Sequence, residues 1–302
     1  MKVTPLEKAE KNLDQQFPFI ATLLKGMGQI MLQDNIYTGL LFLIGIFYGS
    51  VYMGLAALLA VFVGTLTAQI LRFDKTETTS GIYGFSPALV GVALTFYFEP
   101  NLIVWFAVII GSILAAIVQH WFSVKKIPVF TFPFILVAWI LIYLLRNVIQ
   151  VSAPESVSNA VASSPDFAYA LRGYGQVIFQ GSTFAGAAFF IGVFVCSPIR
   201  ALYGLVAAVI AGVLAALYNT PTEGIVMGLF SYNAVLCAIV FAGNKAIDGF
   251  WAFIAVALSL VVSFVMNAYN FTPLTFPFVA GTWVVLVLQN GISKVQTKSI
   301  VS

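Results

Sequence analysis

The stretch KGMGQIMLQ at residues 25–33 returns as RGYGQVIFQ at residues 172–180, after a shift of 147 positions. The correspondence continues without a gap: Gly39, Phe42, Ile44, Gly45, Phe47 and Ser50 recur as Gly186, Phe189, Ile191, Gly192, Phe194 and Ser197. After a three-residue adjustment, TFPF at residues 131–134 matches TFPF at residues 275–278. Shared hydrophobicity alone does not produce this agreement, so the chain is predicted to contain two copies of one unit.

The composition of the chain is that of a membrane protein. Of its 302 residues, 61% are apolar and 8% are charged, which lies far outside the usual range of soluble domains. The formal net charge is only +3, and because there is no basic run, nucleic acid is not indicated as a partner. The composition instead predicts a chain that is surrounded by membrane lipid.

The spacing of charged residues predicts how often the chain crosses the membrane. A crossing helix needs about 20 predominantly apolar residues. Charge-free intervals of sufficient length separate Asp34 from Arg72, Glu77 from Glu99, Glu99 from Lys125, Lys126 from Arg146, Arg172 from Arg200, Arg200 from Glu223, Glu223 from Lys245, and Asp248 from Lys294. The last interval is long enough for two crossings, and the predicted total is about ten spanning helices, roughly five in each half.

Two shorter apolar stretches do not fit this count. Residues 17–32 and 167–179 are interrupted by Lys25 or Arg172 and by paired glycines. Each is predicted to be a half-membrane helix, because it is too short to cross a hydrocarbon core about 30 Å thick. The predicted fold class is an all-α integral membrane protein with two inverted repeats, each containing five transmembrane helices and one half-membrane helix.

The positions of the basic residues predict the orientation of the repeats. Lys294 and Lys298 flank the last span, whereas the loop from Gln150 to Ala170 contains no Lys or Arg. The positive-inside rule then places both termini in the cytoplasm and this loop outside. Each half must cross an odd number of times, so the two repeats have opposite orientation. The predicted organisation is a cytoplasmic arm at 1–16, a first membrane repeat at 17–149, an external linker at 150–166, a second membrane repeat at 167–292 and a cytoplasmic tail at 293–302.

Glutamines are the first candidate pore residues. Gln29 and Gln33 are four positions apart, as are Gln176 and Gln180, so on a helix each pair shares one face. A carboxamide in hydrocarbon needs a partner, and polar groups deep in a membrane are commonly functional. We predict that Gln29 and Gln176 line a pore. The alternative is that the glutamines cap helix ends or bond a neighbouring helix, while the glycines only allow close packing.

An aromatic and an aliphatic residue recur at helical spacing in both halves. Phe85 with Leu89, and Tyr232 with Leu236, lie four positions apart and therefore on one helix face. The faces of such side chains suit a flat solute. The alternative is ordinary helix packing in a chain that contains 28 Phe residues.

A threonine two positions before a proline also occurs in both halves, as Thr131 with Pro133 and as Thr275 with Pro277. Proline removes a backbone donor at the start of a span and leaves carbonyl groups free to face a cavity, with the hydroxyl as a further polar group. The alternative is a kinked helix whose threonine bonds its own backbone. Duplication at matching places favours a site on the symmetry axis.

Charged and metal-binding residues are placed unfavourably for chemistry. Every Asp and Glu falls near a predicted segment end or in a loop, which leaves no obvious buried carboxylate for a proton relay or a cation site. His120 is the only histidine, and Cys196 and Cys237 lie in apolar segments as packing residues. No cofactor, metal site or enzyme mechanism is predicted. The alternatives that remain are passive conduction of a small neutral polar solute and ion-coupled transport of a small neutral amide.

The segment PVFTFPF at residues 128–134 resembles part of a signature of the urea transporter family, Leu-Pro-x-x-Thr-x-Pro-Phe, with Ile127 in place of the leucine. Together with the repeated Gly-Gln segments, the resemblance covers most of the chain. The second copy departs from the signature, because its first proline is displaced by one position in FTPLTFPF at residues 271–278. The first half carries Ser86-Pro87 where the second half carries the more family-like Asn233-Ala234.

The resemblance implies that the protein is a homotrimer in the cell membrane and that urea passes, without ion coupling, through a pore in each subunit. The membrane is expected to be a bacterial inner membrane. The family's pore has a ladder of oxygens, apolar or aromatic groups that sandwich the flat solute, and a narrow middle that bears the signature threonines. Carried onto this sequence, the ladder positions are Gln29 and Gln176, followed by Ile30 and Val177, the sandwiching groups are Leu32, Phe85, Leu89, Phe179, Tyr232 and Leu236, and the middle is Thr131 and Thr275.

Overall fold

The computed structural model describes residues 5–154, 167–218 and 220–301. Within these ranges every regular element is a helix and no strand occurs, so the all-α part of the predicted fold class is confirmed. Residues 1–4 of the predicted arm, residues 155–166 of the linker, residue 219 of the second repeat and residue 302 of the tail lie outside the described residues.

The helices of the two halves follow each other in the same order. In the first half they are α1 (Pro5–Gln16), α2 (Pro18–Gly28), α3 (Ile36–Gly49), α4 (Val51–Ile70), α5 (Lys75–Thr79), α6 (Phe85–Tyr97), α7 (Leu102–Val124) and α8 (Phe132–Tyr143). A 3-10 turn, Gln29–Met31, continues α2, and a π-helical segment, Leu144–Val148, continues α8. In the second half they are α9 (Ala168–Gln176), α10 (Thr183–Cys196), α11 (Pro198–Leu217), α12 (Thr222–Val226), α13 (Tyr232–Phe241), α14 (Ala246–Ala268) and α15 (Phe276–Val301).

The lengths and composition of these helices are those of a membrane protein. Among the described residues, four helices are long and apolar enough to cross a membrane, namely α4, α7, α11 and α14. The number rises to five if Pro18–Met31 and Ile36–Gly49, which are bent by 75° relative to each other, are counted as one broken span. The shorter apolar helices are α6, α8 with its π-helical continuation, α10, α13 and the segment Phe276–Gly291 of α15. The chain is therefore a helical membrane protein, and the count of ten spanning helices stays a prediction.

Side-chain caps start two helices at matching points of the repeat. Asn35 Oδ1 accepts a hydrogen bond from the Thr38 amide at 2.9 Å, at the start of α3. Ser182 Oγ accepts from the Ala185 amide at 3.1 Å, at the start of α10. The first amides of a helix have no partner within the helix, and inside a membrane water is not there to replace it. Both caps come directly after a short helix, so the chain changes direction there within a few residues.

The two halves meet through an aromatic pair whose members occupy equivalent positions. The ring centroids of Phe42 on α3 and Phe189 on α10 are 5.1 Å apart. A Cβ atom added to Gly45 would lie 2.5 Å from the Phe189 ring, and one added to Gly192 would lie 3.0 Å from the Phe42 ring. Phe189 therefore packs over Gly45, and Phe42 packs over Gly192, which is the equivalent position in the other half. Both contacts require a residue that has no side chain.

A second reciprocal contact joins the halves through tryptophans. Trp139 Nε1 donates to the Thr272 carbonyl at 2.9 Å, and Trp283 Nε1 donates to the Pro128 carbonyl at 2.7 Å. Trp139 and Trp283 are equivalent in the alignment that superposes the two TFPF segments, and so are Pro128 and Thr272. Each tryptophan thus donates to the opposite half, at the position equivalent to the one that the other tryptophan binds. Two units related by a two-fold axis make pairs of contacts of this kind.

Two glycines fix how a loop packs on each short helix. Gly81 has a φ of 81° and Gly228 a φ of 76°, in the left-handed region that favours glycine. A Cβ atom would lie 2.3 Å from the Gly26 nitrogen at Gly81, and 2.4 Å from the Gly173 nitrogen at Gly228. The loop before α6 therefore touches the backbone of α2, and the loop before α13 touches the backbone of α9 in the same way.

Candidate functional site

The two signature threonines touch each other. Thr131 Oγ1 and Thr275 Oγ1 are 2.7 Å apart, and each threonine is only 3% exposed. Thr131 is the N-cap residue of α8, and Thr275 directly precedes α15. Neither hydroxyl makes a hydrogen bond to its own helix within the described residues, so the kinked-helix alternative does not describe them. The structure brings together two groups from opposite halves at one buried point.

The residue before each threonine has an unusual backbone conformation. Phe130 has a φ of 49° and Leu274 a φ of 47°, although neither is a glycine. A side chain at positive φ is strained, and such strain persists only where the surrounding structure holds it. The two chain segments therefore reach the threonine contact through the same strained turn.

Gln29 and Gln176 lie at the ends of the short helices and use their side chains identically. Gln29 Nε2 donates to the Ser80 carbonyl at 3.0 Å, and Gln176 Nε2 donates to the Met227 carbonyl at 3.0 Å. Because a carbonyl can only accept, the bonds identify the nitrogen of each carboxamide. The two side-chain oxygens make no hydrogen bond to a described residue, so each remains able to accept a bond from a solute.

Gln33 and Gln180 do not share a helical face with Gln29 and Gln176, contrary to the interpretation of their spacing. The 3-10 turn ends at Leu32, which has a φ of 61°, and Phe179 has a φ of 58° at the equivalent place. The side chains then bond locally, Gln33 Nε2 to the Met31 carbonyl at 2.6 Å and Gln180 Nε2 to the Ile178 carbonyl at 3.1 Å. A four-residue spacing implies one face only while the helix continues.

Two neighbouring cavities are lined mostly by residues of the second half, and residues of the first half complete both linings. The inner one has a volume of about 220 Å³ and reaches Thr275. It contains five predicted site residues and eight others: Gln176, Val177, Phe179, Tyr232 and Thr275, with Phe96, Tyr97, Leu229, Phe230, Ser263, Asn267, Pro273 and Leu274. The wider one, of about 850 Å³, shares Phe96, Gln176, Phe179 and Leu229 with it. The shared lining makes the two cavities neighbours, and Thr275 belongs to the lining of the smaller one.

The other predicted site residues do not line either cavity. Leu89 and Leu236 are fully buried, Ile30 is 1% exposed and Phe85 is 6% exposed. Gln29, Leu32 and Thr131 also lie outside the two linings. Thr131 reaches the inner cavity only through its contact with Thr275. Leu32 is held from the second half, since Arg200 Nη1 donates to its carbonyl at 3.1 Å.

Several residues of the inner cavity were missed by reasoning from the sequence. Ser263 and Asn267 are four positions apart on α14, so the spacing rule applied to the glutamines could have found this polar pair. Phe96 and Tyr97 pack on Phe179, with ring centroids 5.1 and 6.1 Å apart. No sequence signal separates these two rings from the many other aromatic residues of the chain.

The lining of the inner cavity includes no charged side chain, whereas Arg172 lines the wider cavity. No charged side chain is buried among residues 5–154, 167–218 and 220–291. Lys25 forms an ion pair of 2.7 Å with Asp14 on α1 and lies 4.0 Å from Asp34. Burial raises the pKa of the Asp34 carboxyl, and the Lys25 ammonium opposes that rise. Within the described residues no three His, Cys, Asp or Glu side chains are grouped as a metal site would require.

Comparisons with known proteins give one consistent match. The sequence profile of the urea transporter family, described as "UT: Urea transporter", matches residues 20–290. "Urea transporter 1" of Ovis aries is 25% identical over 309 aligned positions, which cover 92% of this chain and 79% of that protein. The protein of the same name from Capra hircus gives the same values, and that from Mus musculus is 24% identical over 74% of this chain and 63% of its own length.

Proposed function

The chain belongs to the urea transporter family, and on that premise we propose that it conducts urea passively through a narrow, uncharged pore in each subunit. It is a membrane transport protein rather than an enzyme, and urea transport is what the family membership supports. The observation that carries the passive mechanism is the contact of Thr131 with Thr275 beside the inner cavity, whose lining combines apolar and uncharged polar side chains and includes no charged one.

The chemistry of urea matches the groups along this path. Urea is planar, with four N–H donors and one carbonyl acceptor, so it needs acceptors along its edges and apolar surfaces against its faces. Gln176 presents a side-chain oxygen, Thr275 a hydroxyl, and the rings of Phe179 and Tyr232 line the same space. In this proposal Gln176 and Val177 belong to the oxygen ladder, and Phe179, Tyr232 and Leu236 to a sandwich on the second-half side.

The first half supplies the matching set on the other side of the threonine pair. Its ladder residues are Gln29 and Ile30, its sandwiching residues are Leu32, Phe85 and Leu89, and its threonine is Thr131. The support for this assignment is that Gln29 and Gln176 make equivalent bonds and that both threonines follow the same strained turn. The pore proposed here therefore continues from the second half into the first.

The reciprocal contacts between the halves support two inverted repeats of five spanning helices and one half-membrane helix each. The equivalent residues Phe42 and Phe189 pack against each other across the interface, and the equivalent residues Trp139 and Trp283 each bond a carbonyl of the opposite half. A two-fold relation in the membrane plane places a solute site near mid-membrane, where the repeats meet. We place the boundaries of the arm, repeats, linker and tail at 1–16, 17–149, 150–166, 167–292 and 293–302, with both termini in the cytoplasm.

The family resemblance extends this proposal to a homotrimer with one pore per subunit, surrounded by lipid in a bacterial inner membrane. Many large apolar side chains on the long helices face outward, including Phe62 on α4, Phe106 on α7 and Phe253 on α14. Such a surface suits acyl chains or another subunit. Cross-linking of the purified protein in detergent, followed by mass measurement, is expected to give a species of three chains.

Ion-coupled transport of a small neutral amide is the alternative mechanism. Coupling needs a titratable or cation-binding group near mid-membrane. The buried polar side chains of the described residues are Thr, Ser, Asn, Gln, Tyr and Cys, and none of these groups carries a charge at physiological pH. This composition favours uncoupled movement of urea down its gradient.

Urea flux into proteoliposomes tests the proposal. The wild-type protein is expected to raise the initial rate well above that of empty vesicles, and neither a pH gradient nor a sodium gradient is expected to change that rate. Rates that follow either gradient would instead support the coupled alternative. Folded protein whose flux equals that of empty vesicles would remove urea as the solute.

A further inference from the structure

The two halves differ at one pair of equivalent positions beside the threonine contact. Asn233 is the second residue of α13, and Ser86 is the second residue of α6. Asn233 is 3% exposed and Ser86 is fully buried. The two side chains therefore occupy corresponding buried places, but a carboxamide places two N–H donors and a carbonyl acceptor on different atoms, whereas a hydroxyl donates one bond and accepts through the same oxygen.

Asn233 bonds the chain on both sides of Thr275. Its Nδ2 atom donates to the carbonyl of Leu274 at 3.4 Å, and its Oδ1 atom accepts from the amide of Phe278 at 3.2 Å. The Leu274 carbonyl belongs to the peptide bond that links Leu274 to Thr275. Phe278 lies in the first turn of α15, where amides have no partner within the helix. One side chain thus spans residues 274–278, which include the threonine.

The adjacent tyrosine strengthens this arrangement. Tyr232 donates its hydroxyl to the same Leu274 carbonyl at 2.7 Å. Leu274 is the residue at positive φ, so two donors hold the carbonyl of a strained turn. The orientation of the following peptide group, and with it the Cα–Cβ direction of Thr275, is thereby fixed.

The first half lacks all three of these bonds. Phe85 stands in place of Tyr232 and has no hydroxyl. The Ser86 hydroxyl is buried and makes no hydrogen bond to a described residue. The carbonyl of Phe130, which is equivalent to that of Leu274, accepts no side-chain bond within the described residues. Among the described residues, the Thr131 hydroxyl consequently has a hydrogen bond only to Thr275.

We propose that Asn233 is the positioning residue of the pore's narrow point, and that it fixes Thr275 so that Thr275 in turn orients Thr131. This inference rests on the proposed passage of urea past the two threonines. The threonine hydroxyls are 2.7 Å apart, so urea must separate them or replace their bond as it passes. A fixed hydroxyl on one side and a mobile one on the other lets the pore open by moving Thr131, while Thr275 keeps a constant hydrogen-bonding direction.

Exchanging the two residues between the halves provides the test. Asn233→Ser makes the second half like the first, Ser86→Asn makes the first half like the second, and the double variant moves the carboxamide to the other half. Asn147→Ser is the matched control, because Asn147 is exposed and bonds only the Tyr143 carbonyl. Flux per folded protein is measured for urea and for N-methylurea, with folding checked by gel filtration and thermal unfolding.

Asn233→Ser is expected to lower urea flux about tenfold, since a small displacement of a positioning group has effects of this order or larger. The urea to N-methylurea flux ratio is expected to fall as well, whereas partial unfolding would lower both fluxes equally and leave that ratio unchanged. The double variant is expected to recover at least half of the lost flux. An Asn233→Ser protein with wild-type flux and ratio would overturn the proposal, and so would a loss of flux at constant ratio without recovery.

A second readout keeps this inference separate from the proposed function. Threonine methyl order parameters, measured by NMR on labelled protein in detergent, report side-chain mobility without any transport. Thr275 is expected to be more rigid than Thr131 in the wild type, and the difference is expected to vanish in Asn233→Ser. Equal mobility in the wild type would refute the positioning role even if urea flux were high. Absent urea flux with the expected mobility difference would refute only the proposed function.

Discussion

The two halves keep the same backbone at the proposed pore but not the same side chains. Gln29 and Gln176 bond equivalent loop carbonyls, and Thr131 and Thr275 meet after equivalent strained turns. The halves differ at the first two residues of α6 and α13. Tyr232 and Asn233 bond the segment that carries Thr275, whereas the equivalent residues Phe85 and Ser86 make no such bonds to the segment that carries Thr131. The groups proposed to bond the solute are thus the same in both halves, whereas the side chains that support them differ.

The largest expected effect comes from filling the point where the halves meet. Thr131→Leu and Thr275→Leu are each expected to reduce urea flux to that of empty vesicles, because the substitution removes a hydroxyl and places a larger apolar side chain at the buried contact between the two segments. Equal loss in both variants would show that the halves contribute equally here. Thr79→Leu on the exposed helix α5 is the control and should conduct normally. Substantial flux in either pore variant would place the solute path elsewhere.

The next largest effect concerns the loops that pack on the short helices. Gly81→Ala and Gly228→Ala are each expected to destabilise the folded protein by about 2 kcal/mol or more, because positive φ and close backbone contact both oppose a Cβ atom. Thermal unfolding in detergent measures the change. Gly291→Ala is the control, since nothing lies within 4 Å of the added atom. A clear difference between the two loop variants would show that only one half needs this contact.

Removing the ladder carboxamides is expected to have an intermediate effect. Gln29→Leu and Gln176→Leu each remove an acceptor from the path and leave a loop carbonyl without its donor. We expect urea flux to fall about tenfold in each case, which corresponds to about 1.4 kcal/mol. Flux assays on Gln33→Leu give the comparison, because Gln33 bonds its own turn. If Gln33→Leu loses as much flux as Gln29→Leu, the loss reflects damage to the turn.

The smallest expected effect is that of a single hydroxyl. Tyr232→Phe makes this position identical in the two halves and removes one of the two donors to the Leu274 carbonyl. A hydrogen bond of this kind contributes about 1 kcal/mol, so urea flux is expected to fall less than about fivefold. Phe85→Tyr is the reciprocal variant. A loss in Tyr232→Phe as large as that in Asn233→Ser would assign the positioning role to the tyrosine instead.

Part of the site could be read from residues alone. Gln29 with Gln176, and Thr131 with Thr275, were found because they recur in both copies of the repeat and because polar groups are rare in an apolar chain. The assumption that failed was that the short helices continue to Gln33 and Gln180. The left-handed conformation of Leu32 and Phe179 ends the short helices before they reach Gln33 and Gln180. Neither position carries a glycine or a proline, so the sequence does not indicate this helix end.

Composition and charge spacing determined by themselves that this is a helical membrane protein, and the repeated segments determined that it contains two copies of one unit, because both are properties that can be counted along the sequence. The urea transporter family was indicated by a resemblance of the segment at residues 128–134 to that family's signature. Only the tertiary structure decided that the two threonines bond each other, that the carboxamide oxygens of Gln29 and Gln176 are left to accept, and that the described cavities lie on the second-half side. These features depend on how the two halves meet, because they are hydrogen bonds between residues far apart in the chain and strained turns that packing holds in place. No single segment of the sequence contains that information.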